Sequence, residues 1–188
     1  MHVAIYCGAS AGNDPVYKEC AVKIGKWLGE KGHTLVYGGG RTGLMGEVAQ
    51  ATLESGGKAI GVMPAFLKER ELAYDGLTEL HIVDTMDERK KMMMDMAACY
   101  VALPGGPGTL EEITEVISWG RVGQHQNPCV FFNEKGYYDG VKHFYQQMVT
   151  EGFLTQVDFE KILFTNSTEE IEAFKRNYLP PVIRTYTK

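Results

Sequence analysis

Apolar residues in this chain follow two alternating patterns, and the alternation predicts the fold. Short continuous apolar runs at residues 3–7, 34–37, 59–63, 80–83, 99–103 and 129–132 predict strands. Between them, apolar positions recur at helical spacing. Asp14-Pro15 opens the first such stretch, with Asp as N-cap and Pro at the first helical position. Its stripe runs through Tyr17, Cys20, Ala21, Ile24, Trp27 and Leu28, and Gly32 supplies a stop. Further helices are predicted over 43–53, 84–98, 109–122, 138–150 and 168–176, and the charged stretch 65–78 is predicted as a surface excursion. Strand-helix alternation of this kind predicts an α/β fold, a Rossmann-like doubly wound parallel sheet with helices on both faces. Neither a repeat nor a linker interrupts it, so 1–188 is expected to form one domain.

Composition narrows the functions that fit. The chain has 188 residues, 44% of them hydrophobic, which excludes a disordered polypeptide. Nineteen basic residues against 24 acidic ones leave a net charge of −5, so no nucleic-acid partner and no anionic membrane surface is expected. No apolar run approaches the ~20 residues that span a bilayer. The start, Met1-His2-Val3-Ala4-Ile5-Tyr6-Cys7-Gly8, reads as a first strand rather than a secretion signal. Cys7, Cys20, Cys99 and Cys129 are far apart, which fits reduced thiols in a cytoplasmic protein better than a disulfide framework. The five histidines are equally scattered, and no metal site is expected.

In parallel sheets ligands bind beyond the carboxyl ends of the strands, which directs attention to the loops after the first, second and fifth strands. The second carries Gly38-Gly39-Gly40-Arg41-Thr42-Gly43-Leu44-Met45-Gly46, a G-x-G-x-x-G between a strand and a helix. The dinucleotide fingerprint also needs an acidic residue about 20 positions on, and strand three ends instead in Val62-Met63-Pro64. Glycines there serve either a phosphate or tight strand-to-helix packing. The fifth loop, Pro104-Gly105-Gly106-Pro107-Gly108-Thr109, follows an apolar strand and runs into Leu110-Glu111-Glu112. Its glycines admit a ligand close to the backbone, and the N-terminus of the next helix favours a phosphate. Thr109 and Glu112 also have the spacing of a T-x-x-E capping box, a purely structural alternative. Two carboxylates beside a phosphate cradle are costly, however, and suggest that one faces a sugar that becomes cationic.

The third constellation is Asp87-Glu88-Arg89-Lys90-Lys91, leading into Met92-Met93-Met94-Asp95-Met96. Alone, this charge run reads as a solvated helix face. The methionines suit either core or a subunit interface.

Taken together, these segments resemble the Lonely guy (LOG) family, the cytokinin riboside 5′-monophosphate phosphoribohydrolases once labelled lysine decarboxylases. Pro104-Gly105-Gly106-x-Gly108-Thr109-x-x-Glu112 resembles the family signature P-G-G-x-G-T-x-x-E. Cys7-Gly8-Ala9-Ser10 resembles its C-G-S-S, Tyr37 to Gly46 its Y-G-G-G-x-x-G-L-M-G, and Met86 to Lys90 its M-H-E-R-K. Trp119 to Pro128 is similar to its W-x-x-x-G-x-H-x-x-P. The resemblance implies that Arg89 and Glu112 form the catalytic pair. It implies that Gly105, Gly106, Pro107, Gly108, Thr109, Leu110 and Glu111 hold the nucleotide, with Glu71, Lys90, Ser118, Ser10, Gly39 and Gly40 as further contacts. No cofactor, no metal and a homodimer are implied as well. Two departures stand out: Pro107 replaces a common aromatic residue, and Asp87 replaces the usual His.

The implied reaction cleaves the bond between ribose C1′ and a base nitrogen of a nucleoside 5′-monophosphate. Positive charge builds on the sugar, and a carboxylate beside C1′ can stabilise it and orient or deprotonate the attacking water. Glu112 is assigned that role, Glu111 a ribose hydroxyl, and Arg89 the phosphate or a ribose oxygen. The runner-up is a non-catalytic carrier of a phosphorylated ligand, like the molybdenum-cofactor carrier proteins. An NAD-linked oxidoreductase lacks the acidic residue after strand three. An amino-acid decarboxylase lacks a lysine in a cofactor-binding context.

Overall fold

Strands with apolar residues on both faces must be covered on both faces, and the computed structural model, which describes residues 1–68 and 73–183, shows this arrangement. Seven parallel strands form one sheet: β1 (His2–Tyr6), β2 (Thr34–Tyr37), β3 (Lys58–Pro64), β4 (Glu79–Val83), β5 (Tyr100–Ala102), β6 (Cys129–Phe132) and β7 (Ile162–Thr165). Their order is β4-β3-β2-β1-β5-β6-β7. The chain winds outward from β1 on one side and from β5 on the other, so the switch point lies between these two neighbours.

Helices α1 (Pro15–Glu30), α2 (Gly43–Glu54) and α8 (Thr168–Arg176) cover one face of the sheet. Cys20, Ile24, Leu28, Leu44, Val48 and Ile171 close that core. Asp14 caps α1 by accepting the Val16 N–H at 3.0 Å, as its position before Pro15 predicts. Helix α1 lies close on α2 because Gly25 and Gly29 have no side chains. A Cβ at these positions would come within 2.6 Å of the Ala51 Cβ and 2.5 Å of the Ser55 Cβ. The other face carries α4 (Met86–Met96), α5 (Pro107–Arg121) and α6 (Asp139–Thr150), with Met93, Met94, Ile113, Val116 and Tyr145 inside. The two short helices, α3 (Ala65–Lys68) and α7 (Gln156–Phe159), are connectors.

Three expectations are corrected. The sequence predicted six strands, and the seventh, β7, pairs with β6 from Cys129↔Ile162 to Phe132↔Thr165. It is a four-residue edge strand, only half buried, whose short apolar run Ile162-Leu163-Phe164 stands between two helical stretches. Helix α5 begins at Pro107 rather than Thr109, with Gly106 as N-cap and no side-chain cap hydrogen bond. The Thr109/Glu112 capping box therefore does not form. A capping box does form at Thr85 and Glu88 at the start of α4, so Glu88 of the charge run is structural. Within the predicted excursion 65–78, α3 is helical and Gly40 bridges Ala73. Glu71 lies outside the described residues. All four cysteines are buried and free, as their spacing implied.

Candidate active site

At the switch point the Gly8 N–H donates to the Pro104 C=O at 3.1 Å, joining the loops that leave β1 and β5. A cleft of about 240 Å³ opens over this junction. Its floor comes from Cys7, Gly8 and Ala9 after β1 and from Gly106, Gly108 and Thr109 at the start of α5. Arg89 and Lys90 of α4, Glu111 and Glu112 of α5, Met45 and Met86 form its walls. The loop after β5 is stiffened from outside. The Tyr137 hydroxyl donates to the Gly105 C=O and the Tyr138 hydroxyl to the Leu103 C=O, each at 2.6 Å.

The loop's glycines divide by role. A Cβ on Gly105 would lie 2.2 Å from Thr109 Oγ1 and 2.9 Å from the Gly8 nitrogen, so Gly105 is needed for packing. Gly106 and Gly108 face open space, where a Cβ would meet nothing within 4 Å. That space lies at the N-terminus of α5, where first-turn N–H groups have no helical acceptor and the helix dipole favours an anion.

Opposite them, Arg89 and Glu112 face each other, Nη2 to Oε1, at 3.8 Å, and each side chain is only 12% exposed. Arg89 is fixed from behind by its Nε–H, which donates to the Val62 C=O at 3.2 Å. Gly38 makes room for it, since a Cβ there would lie 2.0 Å from Arg89 Nη2. Glu112 Oε1 is buried and accepts no hydrogen bond from any of the described residues. Loss of water is the main cause that pushes its carboxyl up, to about 7; Arg89 pulls the other way, Glu111 adds to the rise and Lys90 opposes it. Lys90 donates to Glu111 at 3.0 Å and to Glu115 at 3.1 Å, spanning α4 and α5 at the cleft mouth. These carboxylates hold its ammonium above the ordinary lysine range. Beyond Lys90 and Glu112 a second cavity of about 370 Å³ opens, lined by Tyr6, Met94, Glu115, Val116 and Trp119.

Of the residues singled out from sequence, Arg89, Lys90, Gly106, Gly108, Thr109, Glu111 and Glu112 meet in the cleft. Gly105 supports it from below, and Pro107 is exposed at the first position of α5. Leu110 is exposed and Ser118 points outward from α5; neither lines either cavity. Ser10 is exposed beyond Ala9. Gly39 and Gly40 are buried and engaged with the following loop. The Gly39 C=O accepts the Tyr74 N–H at 2.9 Å, and Gly40 bridges Ala73. Sequence reasoning missed Gly38, Glu115 and the Tyr137/Tyr138 pair. Two of these carried a signal: Gly38 stands in the glycine run after β2, and Glu115 lies one turn after Glu111 on the same helix. Asp87, at the position of the family's histidine, is exposed and 3.8 Å from Lys90.

A sequence-family profile described as possible lysine decarboxylase matches residues 45–174. A cytokinin riboside 5′-monophosphate phosphoribohydrolase of Rhodococcoides fascians is 39% identical over 89% of this chain and 85% of its own. The chain belongs to the LOG family. An Arabidopsis thaliana enzyme of the same name, LOG1, is 38% identical over 95% of this chain and 84% of its own. Among solved structures, the molybdenum cofactor carrier protein of Chlamydomonas reinhardtii superimposes with a TM-score of 0.70 at 19% identity, over 93% of this chain and 96% of its own. The molybdenum cofactor binding protein of Rippkaea orientalis gives 0.69, also at 19%, over 93% and 95%. At that identity the shared feature is the fold.

Two consequences can be measured. Gly38→Ala pushes the Arg89 guanidinium away from Glu112, and kcat/KM with the family's nucleotide substrate falls by about 10- to 100-fold. Gly106→Ala adds a methyl to open space, so stability changes by no more than about 0.5 kcal/mol while KM rises; thermal melts and steady-state kinetics on both variants test the contrast. Burying Glu112 also costs stability. Its native carboxyl keeps a proton that the unfolded chain releases above about 4.5, so stability falls as pH rises from there to about 7. The full cost, of order 3 kcal/mol, is present above that window. Glu112→Gln therefore melts several degrees higher than the parent at pH 8, and the difference disappears near pH 4.5.

Proposed function

We propose that this LOG-family chain hydrolyses the N-glycosidic bond of adenine nucleoside 5′-monophosphates, including N6-substituted ones, to free base and ribose 5-phosphate. The observation that carries this reading is the buried Glu112 Oε1, without a hydrogen-bond partner among the described residues, beside Arg89 and across from an open helix N-terminus. The phosphate sits over Gly106 and Gly108, where a dianion meets free N–H groups and the positive end of α5. This anchors the 5′ end and brings C1′ toward Glu112.

As the C1′–N bond breaks, its electron pair leaves with the base and the ribose acquires oxocarbenium character. Ionised Glu112 stabilises that charge in a site with little water, where its field is weakly screened. It also orients the incoming water and accepts a proton, which returns to the departing base nitrogen. Arg89, rigid on the Val62 carbonyl, keeps Glu112 ionised more readily than burial alone would allow. Lys90 offsets part of the charge of Glu111 and Glu115, which lessens the repulsion of the nucleotide at the cleft mouth.

The chain acts as a homodimer on this reading. An apolar groove along α4, lined by Val83, Met92, Met96 and Trp119, supports that assembly. Four buried free thiols support a cytoplasmic setting. The carrier alternative has the fold in its favour, but a carrier needs no buried carboxylate at a reactive carbon.

Purified protein incubated with AMP and isopentenyladenosine monophosphate, beside the matching nucleosides, is expected to release base from the monophosphates only. Glu112→Gln loses at least about 100-fold in kcat. Because Glu112 works ionised, kcat rises with pH through about 7. Tight nucleotide binding without released base would reject hydrolysis in favour of the carrier.

A further inference from the structure

The segment between α5 and β6 lines neither cavity, yet it carries a hydrogen-bond chain between the two helices that build the site. His125 Nε2–H donates to the Val116 C=O at 2.6 Å, and its Nδ1 accepts the Asn127 N–H at 3.2 Å. A carbonyl on one side and an N–H on the other leave only the neutral tautomer with its proton on Nε2. Asn127 Nδ2 then donates to the Ala97 C=O at 3.0 Å and to the Tyr100 hydroxyl at 3.3 Å. That hydroxyl donates in turn to the Met94 C=O at 3.0 Å. Gly120 leaves room for the ring, since a Cβ there would lie 3.0 Å from His125 Cε1, and the ring packs edge-on against Tyr100 with centroids 4.8 Å apart.

Both ends of this chain lie one turn from the site. Val116 follows Glu112 by four residues on α5, and Met94 follows Lys90 by four on α4. Lys90 ties the same helices at the cleft mouth through Glu111 and Glu115. The catalytic pair cannot set its own spacing, because 3.8 Å is too long for a hydrogen bond and Arg89 is held by β3 instead. We infer that His125 is a positioning residue which, with Asn127 and Tyr100, forms a strut that fixes the separation of α4 and α5 and thereby the Arg89–Glu112 distance.

The kinetic part of the test rests on the hydrolase reading; the spectroscopic part does not. His125→Leu removes the donor to Val116, and kcat falls by about 10- to 100-fold with KM changed by less than about two-fold. His125→Gln, which keeps an N–H for Val116, restores most of it. The charged groups around Glu112 are Arg89 and Lys90 on α4 and Glu111 and Glu115 on α5. When α4 recedes, water reaches Glu112 as Arg89 draws away, and because loss of water is the larger cause of its raised carboxyl the Glu112 titration moves downward. Carbon-13 NMR of labelled glutamates follows this without turnover, the Glu112 signal being the one missing in Glu112→Gln. If His125→Leu does not fold, Asn127→Ala, which cuts only the link to Ala97 and Tyr100, must show the same shift at smaller size. Folded variants with a lower Tm but unchanged Glu112 titration and kcat would overturn the strut. A shifted titration in a protein that releases no base would uphold the strut and reject the hydrolase.

Discussion

Between β1 and β5 the winding of the sheet reverses, and the site depends on that reversal. Two neighbouring strands send their connections in opposite directions, so no helix crosses above them and a crevice remains at their carboxyl ends. The backbone bond from Gly8 to Pro104 closes its floor. A Cβ on Gly105 would lie 2.9 Å from the Gly8 nitrogen, and one on Gly8 would lie 2.9 Å from the Ser10 carbonyl oxygen. The loop so formed delivers the N-terminus of α5 to the crevice without a side-chain cap, leaving its N–H groups for a ligand. A stable fold would favour a capped helix at this point; a phosphate site favours an open one.

Charge is arranged around one exposed-to-ligand, hidden-from-water carboxylate. Glu112 is disfavoured as an anion by burial and favoured by Arg89, and the balance leaves it near neutrality, where an acid–base group is useful. Arg89 reaches it only because Gly38 on β2's exit is bare and the Val62 carbonyl orients the guanidinium. Lys90 sits between two carboxylates of α5 and offsets one of their two charges at the cleft mouth. The solved carrier proteins share this fold at 19% identity. In this chain the crevice also holds a buried carboxylate with a cation set against it.

The amino-acid sequence by itself determined the α/β alternation, the six well-marked strands and the glycine loop before α5. These features are local: apolar runs, helical periods and Gly/Pro punctuation act over a few residues. It also indicated Arg89 and Glu112, through a motif whose residues lie close together along the chain. It left open whether Thr109 and Glu112 capped a helix and whether the glycines at 39 and 40 held a phosphate, since one spacing serves both purposes. The three-dimensional arrangement settles the first and gives Gly39 and Gly40 their partners within the protein. Helix α5 starts two residues earlier than the periodicity suggested, which takes Glu112 out of the cap and into the cleft, and Gly39 and Gly40 are engaged by residues 73 and 74. Gly38, Glu115, Tyr137, Tyr138 and the His125 strut acquire their roles from partners 20 to 50 positions or one helix away. Burial, orphaned hydrogen bonds and shifted proton affinities arise from the company a side chain keeps in space, and no local pattern encodes that company.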